Sequence, residues 1–225
     1  TVTVSPAPNQ SGSATITITV SDGSLTASDT IFVTVTAVND APTLTNVGTL
    51  AGAMEDAAFT ITYAALAGAA NDADVDGDAI SFRLEAVSSG TLTKNGTPVV
   101  ATSTLLGIGE SLVWTPMANA NGTLNAFTVK AWDGQAASSS AVQVSVSVAA
   151  VNDAPSFAKG STQSILEDAG SQTVANWATS LSAGPSDESV QTLTFQVSNN
   201  NNALFAVQPA IALRRPWSSR WRTGI

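Results

Sequence analysis

The chain has 225 residues, with 17 acids against 8 bases and neither cysteine nor histidine. That composition excludes disulfides, zinc fingers, cysteine nucleophiles and every catalytic triad that uses histidine as its base. A formal charge of −9 disfavours nucleic acid and anionic membrane and favours cations. No apolar run approaches the 18 or so residues that span a bilayer, so no membrane insertion is expected.

Charged residues make up only 11% and aromatics 6%, while Thr and Ser alternate with Val and Ile as they do in half-buried strands. The same markers return at a fixed spacing. Ala37-Val-Asn-Asp-Ala-Pro42 recurs as Ala150-Val-Asn-Asp-Ala-Pro155, and Glu55-Asp56-Ala57 recurs as Glu167-Asp168-Ala169. Ile80-Ser81-Phe82 corresponds to Leu193-Thr194-Phe195, and Val20-Ser21-Asp22-Gly23 to Ala131-Trp132-Asp133-Gly134. A shared period of this length is too long for a solenoid unit and suits a whole β-sandwich domain.

In chain order, residues 1–38 read as the last strands of one repeat, 39–42 as a linker, and 43–150 as a complete repeat. Within that repeat, strands are expected at 43–50, 58–63, 79–87, 112–114, 126–132 and 141–148, with Asn95-Gly96 turning a hairpin. Ile80, Phe82 and Leu84 should share one face, as should Val142, Val144, Val146 and Val148. Trp114 and Trp132 read as core. A second linker covers 151–155, and 156–213 reads as the first part of a third repeat. Residues 214–225 differ from everything before them: Arg214, Arg215, Arg220 and Arg222 arrive there together with Trp217 and Trp221, and we expect a disordered tail. The fold class expected is thus all-β, with tandem immunoglobulin-like Greek-key sandwiches of about seven strands each.

Strands do not require acids, so their placement carries information. Carboxylates gather at Glu55-Asp56, at Asp72-Ala-Asp74-Val-Asp76-Gly-Asp78, at Asp133 and at the Asn152-Asp153 linker. Alternate Asp residues in one short loop repel one another unless a cation lies among them. Oxygen donors without imidazole or thiolate suit Ca2+ far better than zinc. The loop imitates an EF-hand at its first positions, but Arg83 stands where a bidentate Glu should close the site, and strands flank it instead of helices. Ordinary turn chemistry is the plainer reading for Asp22-Gly23 and Asp133-Gly134.

The combination Val-Asn-Asp-Ala-Pro, Glu-Asp, the Asp ladder and Asp-Gly resembles the cadherin-like tandem repeats of very large bacterial surface proteins, among them long adhesins exported by type I secretion. The resemblance implies calcium at each junction between repeats. The first junction would use Asn39 and Asp40 with Asp74, Asp76 and Asp133, and Asp72 is counted with that ladder. The second would use Glu55, Asn152, Asp153 and Asp187. The third repeat has Ser186-Asp187-Glu188-Ser189-Val190-Gln191 in place of the ladder, a poorer set of donors.

The function expected from these readings is a non-catalytic, extracellular or cell-surface stalk. Its partners would be calcium, the neighbouring repeats and another cell surface, protein or polysaccharide; nucleic acid is not among them. A carbohydrate- or protein-binding module is the alternative, and would need an exposed aromatic platform, for which Tyr63, Trp177 and the tail at 214–225 are the candidates. A glycoside-processing enzyme built on Asp76 and Glu85 is the third reading. Acids that repeat once per domain, in turns, argue against it.

Overall fold

The alternating Thr/Val and Thr/Ile runs of the sequence become strands in the computed structural model, which describes residues 1–212. The chain divides into two compact units, Thr1–Ala150 and a second that starts at Val151. The basic tail at 214–225 lies outside the described residues.

The first unit opens with a hairpin of β1 (Gly12–Ser21) and β2 (Thr26–Val35), paired antiparallel over their whole length. Asp22 closes it as an Asx turn: its Oδ1 accepts from the N–H groups of Ser24 and Leu25 at 2.9 and 2.8 Å. The sandwich that follows consists of β3 (Leu50–Met54), β4 (Phe59–Thr62), α1 (Tyr63–Ala69), β5 (Ser81–Val87), β6 (Thr91–Lys94), β7 (Thr97–Pro98), β8 (Leu105–Leu106), β9 (Ser111–Thr115), β10 (Gly122–Trp132) and β11 (Val142–Ala149). One sheet runs β3-β11-β10-β5-β8 and the other β4-β9-β6-β7. All pairings are antiparallel except that of β11 with β3. The second unit holds β12 (Ser156–Lys159) and β13 (Ala178–Ser182), then single turns of 3₁₀ helix at Ser186–Glu188 and Asn202–Leu204.

The core follows the predicted faces. Phe82 and Leu84 of β5, Phe127, Val129 and Ala131 of β10, and Val144, Val146 and Val148 of β11 are buried against Ile61, Leu92, Leu112 and Trp114 of the other sheet. Asn95 and Gly96 have φ of 51° and 77°, as a two-residue hairpin turn with two left-handed positions requires.

Three expectations need correction. The strand expected at 43–50 lies later, at Leu50–Met54; Thr43 and Val47 form only isolated bridges, to Ala73 and Ala70. Residues 63–69 form a short helix, because Thr62 caps its N-terminus by accepting from Ala65 N–H at 3.1 Å and Leu66 plugs it into the core. Trp132 is half-buried, with the Arg83 guanidinium 5.2 Å from its ring centre.

Gly90 sits at φ +66°, and a Cβ there would collide with the Thr115 carbonyl oxygen and crowd the Trp114 indole. Since backbone cannot step aside as a side chain can, Gly90→Ala is expected to cost about 2–4 kcal/mol. The check is a lower urea midpoint with an unchanged slope.

No helix among the described residues is long and apolar enough to cross a membrane.

Candidate metal centre

The segment between α1 and β5 contains no strand, because four of the seven residues 72–78 are Asp and one is Gly, types that favour turns over pleated backbone. Gly77 takes φ +81°, and the chain curls so that Asp76 and Asp78 donate their N–H groups to Asp74 Oδ1 at 2.9 and 3.2 Å. One carboxylate oxygen from each of Asp74, Asp76 and Asp78 then lies within 4.8 Å of the others. Asp74 Oδ2 is buried and has no hydrogen-bond partner.

The linker bonds once to this loop and once to the turn after β10. The N–H of Asp40 donates to Asp76 Oδ2 at 2.7 Å, and Asn39 Nδ2 donates to Asp133 Oδ2 at 2.9 Å. Asp133 itself forms an Asx turn after β10, its Oδ1 accepting from Gln135 and Ala136 N–H at 2.6 Å each. Gln135 also donates to Asn39 Oδ1 at 3.0 Å. Thus Asn39 is linked to Asp133, and Asp40 to Asp76, which lies beside Asp74. Asp78 joins Asp74 and Asp76, whereas Asp72 falls outside the group of three close carboxylates.

The N–H groups of Ala136 and then the Asn39 amide, followed by Gln135, hold the Asp133 carboxyl below the ordinary aspartate value. A group depressed in the folded state contributes stability at pH above its unfolded value and loses it as pH falls through the folded one. We therefore expect the Asn39 side-chain amide resonances to shift toward free values in strong acid, below the ordinary aspartate range. Asp133→Asn should remove that transition. A proton titration followed by NMR decides it.

The remaining predicted donors lie elsewhere. Glu55 is buried at the other end of β11, where its N–H donates to Ala149 O at 3.0 Å and its carboxylate accepts from Asn121 Nδ2 at 2.9 Å. In the second unit, Asp153 N–H donates to Glu188 Oε1 at 2.5 Å, and Gln191 donates to Asn152 Oδ1 at 2.9 Å. The first bond copies the Asp40–Asp76 bond of the first unit, while the second reaches the linker Asn from the ladder's counterpart and not, as Gln135 does for Asn39, from the turn after β10. The acid that meets this linker is Glu188, buried, with Oε2 lacking a hydrogen-bond partner, while Asp187 is exposed. A Cβ on Gly184 would occupy the space that the Glu188 carboxylate fills. Sequence reasoning missed Glu188 because the repeat offset is 113 at the linker but 112 at Glu55 and Glu167, and only the shorter spacing aligns Glu188 with Asp76.

The donor set fits a hard cation. It is all oxygen, it is clustered, and buried carboxylate oxygens in both units carry lone pairs that no protein donor meets.

Among solved structures, the chain is similar to the endo-fucoidan hydrolase MfFcnA4 from glycoside hydrolase family 107, at 21% identity over 65% of this chain and 20% of that one, with a TM-score of 0.32. A second structure of that hydrolase matches at 17% identity and the same TM-score, over 68% of this chain and 22% of that one. Drosophila N-cadherin EC1-4 matches at 16% identity over 68% of this chain and 36% of that one, again with a TM-score of 0.32. The chain therefore spans about a fifth of the hydrolases' length and about a third of the cadherin fragment's. No curated protein matches it. Residues 38–149 match the family model of the cadherin-like domain, and over that stretch the chain carries a member of this family.

Proposed function

We propose that the chain is a calcium-binding, non-catalytic segment of an extracellular adhesion protein, in which the ion stiffens the joint between a linker and the sandwich after it. The observation that carries this reading is the buried, partnerless Asp74 Oδ2 in a cluster with Asp76 and Asp78, beside a linker whose Asp40 N–H is already bonded to Asp76. Bound calcium supplies two positive charges and six to eight coordination positions for oxygen. Asp74, Asp76, Asp78 and Asp133 bring the negative charge. Asn39 and Asp40 tie the preceding chain to them, and Asn152, Asp153 and Glu188 repeat the arrangement within the second unit.

The side chains favour this over the other classes. The Tyr63 hydroxyl donates to Ile80 O at 2.8 Å, and the Trp177 indole N–H donates to Ser161 O at 2.9 Å. Both rings are part-buried, so neither is a free platform for a sugar. Of the two acids in the hydrolase reading, Glu85 is ion-paired with Arg83 at 2.7 Å and Asp76 is engaged with the linker. The test is thermal unfolding in calcium, in magnesium and in chelator. A midpoint raised by calcium and not by magnesium supports the proposal, and three equal midpoints refute it.

A further inference from the structure

Three Asn-x-Ser/Thr triplets occur in the chain: Asn9-Gln10-Ser11, Asn95-Gly96-Thr97 and Asn121-Gly122-Thr123. Such a triplet is the acceptor signature for N-linked sugar, the hydroxyl two residues on being read together with the amide. The triplet by itself selects little, and the fold separates the two that lie in the sandwich.

Asn95 and Gly96 form the apex of the β6–β7 hairpin, with φ of 51° and 77°, and Lys94 pairs with Thr97 beneath them. Asn95, Gly96 and Thr97 are all exposed, and a Cβ built on Gly96 would meet no atom within 4 Å. Amide, hydroxyl and the space around them are therefore open at one point of the surface. Asn121 is placed differently. It is half-buried, its Nδ2 donates to the buried carboxylate of Glu55 at 2.9 Å, and Thr123 is held in β10 opposite Ser147. A sugar on Asn121 would deprive that carboxylate of a donor.

The apex also stands beside something worth covering. β7 ends the sheet β4-β9-β6-β7, so its outer edge has no strand beside it among the described residues. Thr97 and Pro98 are both exposed, and Val100, just beyond, is 60% exposed. An open edge is a template for pairing with another chain, and proteins blunt it with proline, charge or a covering group. Pro98 removes one donor from this edge; a bulky, hydrated sugar on the turn that feeds it would cover the rest.

We propose that Asn95 of the folded chain is an acceptor for an N-linked sugar delivered from a nucleotide-activated donor, and that this sugar shields the β7 edge. In the transfer, Asn95 Nδ2 bonds to the anomeric carbon, the bond from that carbon to the diphosphate oxygen breaks, and the nucleoside diphosphate leaves with the electron pair. The proton lost by the amide passes to a base of the transferase. Calcium takes no part at Asn95, so this proposal stands or falls separately from the cation reading.

The test incubates the purified, folded chain with a soluble asparagine N-glycosyltransferase and UDP-glucose, and locates added hexose by tandem mass spectrometry. Asn9→Gln takes the first triplet out of the measurement. Asn95 should carry hexose and Asn121 none, whereas short peptides of the two triplets should be modified alike. Thr97→Ala should abolish the addition and Thr97→Ser restore it, with the near-ultraviolet signal of buried Trp114 unchanged throughout. On heating, the modified chain should begin to scatter light at a higher temperature than the unmodified one. Asn95 unmodified in the folded chain, Asn121 modified to the same extent, or an addition that survives Thr97→Ala would overturn the acceptor site. Equal scattering onsets would overturn the shielding.

Discussion

Calcium at a hundredfold excess over its dissociation constant is expected to stabilise the cadherin-like domain by about 2.7 kcal/mol. For a domain near this size that is a rise in melting midpoint of roughly 10 °C. The effect arises because the unfolded chain scatters Asp74, Asp76 and Asp78, whereas the folded loop holds their oxygens within 4.8 Å of one another. Without an ion the folded state bears their repulsion; with one, the same geometry becomes the source of affinity. Magnesium should add little, since it keeps its waters and demands a tighter octahedron than a loop of this breadth presents. Asp74→Asn with Asp76→Asn should remove the calcium increment and raise the midpoint in chelator, because the repulsion goes too. Scanning calorimetry on the four combinations of variant and ion measures both signs. A double variant that still gains stability from calcium would place the ion elsewhere.

Replacing Trp114 with Ala is expected to cost about 3–5 kcal/mol, a large part of the 5–15 kcal/mol that holds an ordinary domain folded. Trp114 is fully buried and is the largest side chain in the core. It lies opposite Phe59 of β4 on one side and Leu92 of β6 on the other. Its indole N–H donates to Ser89 O at 2.9 Å, so truncation opens a cavity and also strips a carbonyl of its partner. Trp114→Phe keeps most of the packing and should cost less than half as much. Trp132→Ala is the contrast: a half-buried ring against Arg83 should cost about 1 kcal/mol. Urea titrations of the three variants, followed in the near-ultraviolet, rank them; equal losses at 114 and 132 would contradict the packing described above.

What the sequence reveals depends on how local the cause is. The hairpin at Asn95-Gly96 and the inward faces of β5 and β11 are legible because backbone preference and alternation reside in the segment itself. The helix Tyr63–Ala69 is not: its Ala- and Gly-rich run carries a single buried apolar residue, Leu66, so no period of 3.6 can emerge. The strand at Leu50–Met54 is set by its pairing with β11, nearly a hundred residues away. In the candidate metal centre, the Asp ladder announces itself by repulsion. Asp133 and Asn39, 94 residues apart, meet only through the fold; the recurring Asn-Asp-Ala-Pro and Asp-Gly motifs, and the resemblance they carry, are the pointers to them. Glu188 was hidden by a single-residue difference in spacing.

The parallel pairing of β3 with β11 has a mechanical consequence. Both strands run the same way, with Val146 beside Leu50 and Ala149 beside Met54, and the chain enters before β3 and leaves after β11. Tension on the two ends of the domain therefore pulls these strands past each other along their length. Their hydrogen bonds are loaded together in shear, and must fail together, instead of opening one at a time as in a peeled hairpin. A segment wired in this way resists extension at the seam where its first and last strands meet.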